Sequence, residues 1–185
     1  FYIAHWNGST WNALASVPNQ AINKMMVYNN ELYICGIFDS VGGISANGLA
    51  KWNDSTWSDV HALPNYNSYL SASNAIACMA VYQENLYIGG NFEGTNGQKE
   101  IAYWNGTQWE PLVNGILGDS WVNCMTVYKN ELYVGGYFFT NNGNAGNCIM
   151  KWNGVSWSSV GGGMGGNAAP QVVNLKVIKN ELYAV

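Results

Sequence analysis

Arginine is absent from the 185 residues, and charge of either sign is scarce: seven Lys, eleven Asp or Glu, 10% charged in all and a net charge of -4. A soluble domain usually carries about 25% charged residues. Nucleic-acid recognition relies on a basic footprint and on Arg for bidentate contacts to phosphate and guanine. An acidic chain without Arg does not fit that class. No apolar run approaches the roughly 18 residues of a membrane-spanning helix, so no membrane span is expected. No convincing stripe of period 3.6 runs anywhere along the chain. Histidine occurs twice, at His5 and His61, with no His or Cys at ligand spacing. A copper or zinc centre needs more imidazole or thiolate than this. The acidic residues stand singly, and neither Asp54 with Asp59 nor Glu93 with Glu100 has the spacing of a calcium loop. Gly161-Gly162-Gly163 and Gly165-Gly166 lack the following Lys and helix of a phosphate loop. These absences lead to the expectation of no metal, no cofactor and no catalytic centre.

In place of charge stand 26 Asn, 22 Gly and an aromatic content of 14%. Disorder requires few aromatics and high net charge, so a folded, turn-rich domain is expected. Self-similarity then sets the organisation. Trp-Asn-x-x-x-Trp recurs at Trp6…Trp11, Trp52…Trp57, Trp104…Trp109 and Trp152…Trp157, spaced by 46, 52 and 48 residues. A second unit, apolar-x-Val-Tyr-x-x-(Glu/Asn)-Leu-Tyr, alternates with it at Met25–Tyr33, Met79–Tyr87 and Met125–Tyr133. A fourth copy, Leu175–Tyr183, carries Ile178 at the first Tyr position. Each period divides into four short extended runs, a to d. In the first copy they are Ile22–Tyr28, Glu31–Phe38, Gly48–Trp52 and a run around Trp57. Asn-Gly at Asn7-Gly8, Asn105-Gly106 and Asn153-Gly154 predicts tight hairpins with both central residues at positive φ.

A repeated four-stranded meander of about 45 residues is the blade of a β-propeller, so the expected fold is an all-β propeller of four-stranded antiparallel blades. The chain resembles the kelch and galactose-oxidase-like propeller superfamily. The resemblance rests on Leu-Tyr followed by Gly-Gly at Leu86–Gly90 and Leu132–Gly136, on the variant Cys35-Gly36, and on the aromatics of runs c and d. The wording around Leu132–Gly136 and Trp104–Trp109 is similar to propeller repeats of secreted bacterial surface proteins and fungal cell-surface proteins. This resemblance implies the fold and an extracellular or cell-surface location. The copper-dependent activity of galactose oxidase does not carry over, because no His set is present to hold the metal.

Three complete blades are expected, at residues 22–61, 76–113 and 122–160, with half-blades at 1–16 and 171–185. The halves are complementary, one supplying runs c and d and the other a and b. A closed four-bladed ring is one expectation. An excerpt of a six- to eight-bladed ring is the favoured one, with a homodimer as one way to complete it. The eight Trp of the repeated unit are expected to pack blade on blade. Cys35, Cys78, Cys124 and Cys148 are expected to be free thiols, since equivalent positions in adjacent blades sit too far apart for a disulfide.

The a–b and c–d turns are short and nearly constant, whereas the b–c and d–a connections vary in length. Binding residues concentrate on variable loops held by a rigid scaffold, so the b–c/d–a face is the expected binding face. Trp121 lies outside the repeat register, aligned with Ala21, Ala75 and Gln171, and is a candidate for stacking on a sugar or anchoring a partner. Tyr66, Asn67 and Tyr69 occupy the longest d–a connection and complete the candidate set. Local packing for Trp121 and a neutral insertion at 62–73 are the competing readings. The functional expectation is a non-catalytic extracellular scaffold binding a protein or surface partner through these loops. The alternatives are a carbohydrate-binding propeller with a glycan partner, and the propeller part of an enzyme whose catalytic residues lie outside the chain.

Overall fold

The computed structural model describes residues 3–14, 16–60, 76–93, 99–165 and 170–185. It is all-β, built of antiparallel sheets, with a single 3-10 turn at Thr140–Asn142 among the described residues. A hairpin of β1 (Ala4–Trp6) and β2 (Trp11–Ala13) comes first. The first four-stranded sheet holds β3 (Ile22–Tyr28), β4 (Glu31–Gly36), β7 (Leu49–Trp52) and β8 (Trp57–Asp59). Between β4 and β7, β5 (Ser40–Val41) and β6 (Ile44–Ser45) make a small hairpin of their own. The second sheet holds β9 (Ile76–Tyr82), β10 (Asn85–Glu93), β11 (Lys99–Trp104) and β12 (Trp109–Pro111). The third holds β13 (Trp121–Tyr128), β14 (Glu131–Tyr137), β15 (Ile149–Trp152) and β16 (Trp157–Ser159). A final hairpin pairs β17 (Leu175–Ile178) with β18 (Glu181–Ala184). Each four-stranded sheet is a simple meander, with hydrogen-bonded neighbours in chain order. Strands β1 and β18 do not pair, so the two end hairpins do not join into a closing sheet.

The two-residue connection expected at Asn29-Asn30 is present, but the Asn-Gly pairs differ from the expectation. The left-handed two-residue turns are the a–b ones, at Asn29-Asn30, Gln83-Glu84, Lys129-Asn130 and Lys179-Asn180, with φ between 48° and 65°. Their backbone twist matches that of the flanking strands, and the chain adopts them without glycine. The Asn-Gly pairs sit instead in four-residue c–d loops. There Gly8, Gly106 and Gly154 take φ near 100° while the preceding Asn does not enter the left-handed region. The Asn side chain explains this. Oδ1 of Asn7, Asn53, Asn105 and Asn153 accepts the backbone N–H groups two and three residues on, at 2.8–3.1 Å. The carboxamide thus replaces main-chain partners in an Asx-type turn, and the expected type I′ geometry is not needed.

Side chains alternate between the two faces of a strand, and each face here belongs to a different buried cluster. In the second sheet Met79, Leu86, Ile88, Ala102 and Trp109 pack towards the first sheet, with Tyr33, Cys35 and Leu49. Their chain neighbours Cys78, Ala80, Tyr87 and Ile101 pack the other way, against Val122, Leu132, Val134 and Trp152 of the third. Two further clusters seat the β1–β2 hairpin on the first sheet and the β17–β18 hairpin on the third. A fully buried Leu or Ile contributes about 1.5–3 kcal/mol, so the hydrophobic term is distributed over successive sheet–sheet contacts. The Trp pairs take part where a preceding sheet covers them: Trp57, Trp109 and Trp152 are buried. Trp6 and Trp11 depart from the expectation, at 52% and 71% exposed, because no described residue covers that side of the β1–β2 hairpin.

Polar contacts repeat with the same step. The hydroxyl of Tyr28 donates to the carbonyl of Glu84, Tyr82 to that of Asn130, and Tyr128 to that of Asn180, at 3.0–3.2 Å. The first strand of each four-stranded sheet thereby grips the a–b turn of the next unit. Trp109 Nε1 donates to Val60 between the first and second sheets, and Trp57 Nε1 likewise to Ser16 in the connection that precedes the first sheet.

Where the inner strands approach the next sheet, volume is tightly allotted. Cys78 is paired in register with Gly89, Cys124 with Gly135, and Lys24 with Cys35. A Cβ on Gly135 would stand 2.8 Å from Cys124 Sγ and 2.6 Å from Val172 Cγ1. In the first sheet the exposed Lys24 vacates that space and the buried Cys35 fills it. Gly135→Ala is therefore expected to destabilise by about 1–3 kcal/mol, the usual cost of overpacking. Urea unfolding measures it, and an unchanged midpoint would mean the sheets do not meet this closely.

Candidate functional site

Trp121 opens β13 opposite Tyr137, the last residue of β14. Their rings stack with centroids 4.3 Å apart and planes 13° from parallel. Tyr137 meets Phe139 edge-on at 4.8 Å and 87°. All three are half-buried, so the row is held by the sheet yet keeps exposed surface. Tyr137 and Phe139 were not singled out in the sequence. Their signal was present, since the repeat places Ile37 and Asn91, then Asp39 and Glu93, at these positions. Only the third sheet writes aromatics there. Tyr66, Asn67 and Tyr69 lie outside the described residues, as does His61.

The loop beside the row is tied at several points. Asn144, 7% exposed, accepts the N–H of Leu117 at 2.9 Å and donates to the carbonyls of Leu117 and Phe139. One carboxamide thus joins the connection entering the third sheet to the loop between β14 and β15. Asn147 Oδ1 accepts from the backbone and hydroxyl of Thr140, while its own carbonyl accepts from Met164. Phe139, Thr140, Asn141, Asn147, Met164 and Pro170 line a cavity of about 250 Å³ beside the aromatic row, with no charged side chain among them. Such a surface offers flat apolar rings and neutral amide groups.

The inner strands β3, β9, β13 and β17 lie in contact in chain order and border a second space of about 440 Å³. Asn23 and Asn123 donate from their side chains to the carbonyls of Ile76 and Val172 on the following inner strand or its approach. Lys24 contributes the cationic side chain of this lining, with Cys78 and Cys124 in the wall.

All four thiols are buried and unpaired. Burial pushes the Cys124 thiol up to about 12 and raises those of Cys35, Cys78 and Cys148. They remain protonated at neutral pH, and a protonated thiol is a poor nucleophile. Burial likewise pushes the Tyr33 and Tyr87 phenols up to about 12. No three His, Cys, Asp or Glu side chains converge among the described residues. No described helix is long and apolar enough to cross a membrane. No protein-family model matches this chain, and no curated protein matches it.

Two measurements follow from this geometry. Raised folded-state values mean that the unfolded chain loses thiol and phenol protons first, so alkali favours unfolding. The urea midpoint should hold below the ordinary thiol value of 9.0 and fall as pH rises towards about 12; a flat midpoint up to pH 11 would contradict the burial of these groups. For the aromatic row, a double-mutant cycle of Trp121→Ala and Tyr137→Ala should give a coupling of about 0.5–1.5 kcal/mol in unfolding free energy. Strict additivity would mean that the stack holds nothing together.

Proposed function

We propose that the chain is a non-catalytic extracellular β-propeller scaffold, each four-stranded sheet forming one blade, which engages a protein partner at the cell surface through its b–c/d–a loops. The observation that carries the ring is the repetition of one contact. Three times over, a tyrosine of an inner strand donates to the turn carbonyl of the next sheet, and the inner strands lie side by side in chain order. A constant step from unit to unit is what rotation about an axis requires.

The stacked row of Trp121, Tyr137 and Phe139 supports the loop face as the contact surface, because it breaks the repeat where blade packing makes no demand. Rigid, partly exposed aromatics surrounded by neutral polar groups are typical anchors of protein interfaces. The uncharged lining beside them fits a partner presenting apolar side chains and amide groups. The cell-surface location rests on the resemblance of the repeats to those of secreted propellers.

Photo-crosslinking tests this reading. A photoreactive residue at Thr140, on the loop face, is expected to capture a discrete surface protein. The product should vanish in Trp121→Ala and be absent when the same residue replaces Ser55 on the opposite turns. Equal capture from both faces would overturn the assignment of the loop face.

A further inference from the structure

The successive sheets enclose the same inter-sheet space more than once, and the copies differ. Between the first and second sheets it is an open cavity of about 380 Å³, beside the a–b and c–d turns and away from the aromatic row. Tyr28, Asn29, Glu31, Lys51 and Asp59 line it from the first sheet, Trp104 and Trp109 from the second.

Between the second and third sheets the corresponding space is filled from within. Gln83 holds the turn position of Asn29. Its Nε2 donates to the Tyr82 hydroxyl at 3.1 Å, and its Oε1 lies 3.0 Å from where a Cβ on Gly154 would stand. At Gly106, the counterpart of Gly154, a Cβ would meet nothing within 4 Å. Tyr103 replaces Lys51 and stacks on Tyr87, with centroids 5.5 Å apart. Asn85 replaces Glu31. The first space is therefore kept open by a short turn residue and equipped with an ion pair that the second lacks; the third sheet repeats the pair as Glu131 and Lys151, 2.7 Å apart, but with the longer Lys129 at the turn position of Asn29.

That pair has a definite chemistry. Lys51 Nζ lies 2.8 Å from Glu31 Oε2, and both side chains are partly buried. The bond between them uses one carboxylate oxygen and one ammonium proton, and both residues line the cavity. The charges of the pair cancel and Asp59 adds a further carboxylate to the lining, so an anion is disfavoured, and any ionic ligand would have to separate the Glu31–Lys51 pair at a desolvation cost. A vicinal diol instead donates to the carboxylate and accepts from the ammonium at once, in charge-assisted hydrogen bonds that leave the pair intact. The Asn29 carboxamide adds a neutral donor and acceptor, and the indole of Trp104 offers a flat apolar wall. The volume lies within the roughly 300–1,000 Å³ of small-molecule sites.

We propose that this inter-sheet cavity binds a neutral pyranose ring, its hydroxyls held by the Glu31–Lys51 pair and its C–H face laid on Trp104. The site is separate from the loop-face surface and stands or falls independently of it.

Ligand-observed NMR on the whole chain tests the proposal, with methyl glucoside, methyl galactoside, methyl mannoside and N-acetylglucosamine as probes. At least one of the four should bind. Asn29→Gln introduces the side chain that closes the neighbouring space. The turn accepts it, because Gln83 has the same φ of 48°. This variant and Glu31→Gln should each weaken binding at least about 10-fold. Gln83→Asn and Trp121→Ala should leave it unchanged, the latter separating this site from the loop face. The proposal is overturned if none of the four probes binds, if Asn29→Gln binds as tightly as the native chain, if Trp121→Ala abolishes binding, or if glucuronate binds more tightly than the neutral glycosides.

Discussion

The central strands of each four-stranded sheet bury their two side-chain rows against two different neighbours, and most of the structure follows from that division. A four-stranded meander has no interior of its own. Met79 and Ile88 are covered by the first sheet, Cys78 and Tyr87 by the third, and no sheet completes its burial without both neighbours. The tyrosine and tryptophan hydrogen bonds between successive units then set how one sits on the next. Stability of such a stack is close to a sum of unit and interface contributions. The scarcity of charge is consistent with this, because the central strands β4, β10 and β14 are buried on both faces and leave little strand surface for Lys or Glu.

Much of the architecture was legible because the residues that report it have few other uses. Trp-Asn-x-x-x-Trp and Leu-Tyr recur with a common period, and the strands fall where those units stand. Turn geometry was less legible. Asn-Gly carries two possible meanings, a left-handed pair or a side chain that accepts the backbone, and only the position of Trp11 opposite Trp6 distinguishes them. The left-handed turns went unnoticed at Gln83-Glu84, where neither residue advertises positive φ. Trp121 was visible as an intruder in the repeat. Tyr137 and Phe139 were hidden by the run of aromatics around Phe138, which is itself a fully buried core residue. The open space beside Asn29 had no sequence signal at all, since it depends on the path of one longer side chain in the neighbouring copy.

The two ends of the strands are built for different purposes. At the a–b and c–d turns the connections are short and each asparagine fixes its own loop, so variation is confined to which side chain projects between sheets. At the opposite end, buried Asn144 and its partners hold longer loops in one arrangement, and variation takes the form of new surface. A repeat protein can in this way carry unrelated features on a common frame, each written into a single copy without disturbing the others.

The pairing of Lys24 with Cys35, Cys78 with Gly89 and Cys124 with Gly135 carries an evolutionary consequence. Each cross-strand pair holds one sulfur, placed on the inner strand in two sheets and on the second strand in the other. Bulk cannot be added at one position of the pair unless it is removed from the other, so the two sites are bound to drift together. Among descendants of this repeat they should covary. A first strand would then gain a lysine lining the space between these strands only in a lineage whose second strand has already lost its glycine.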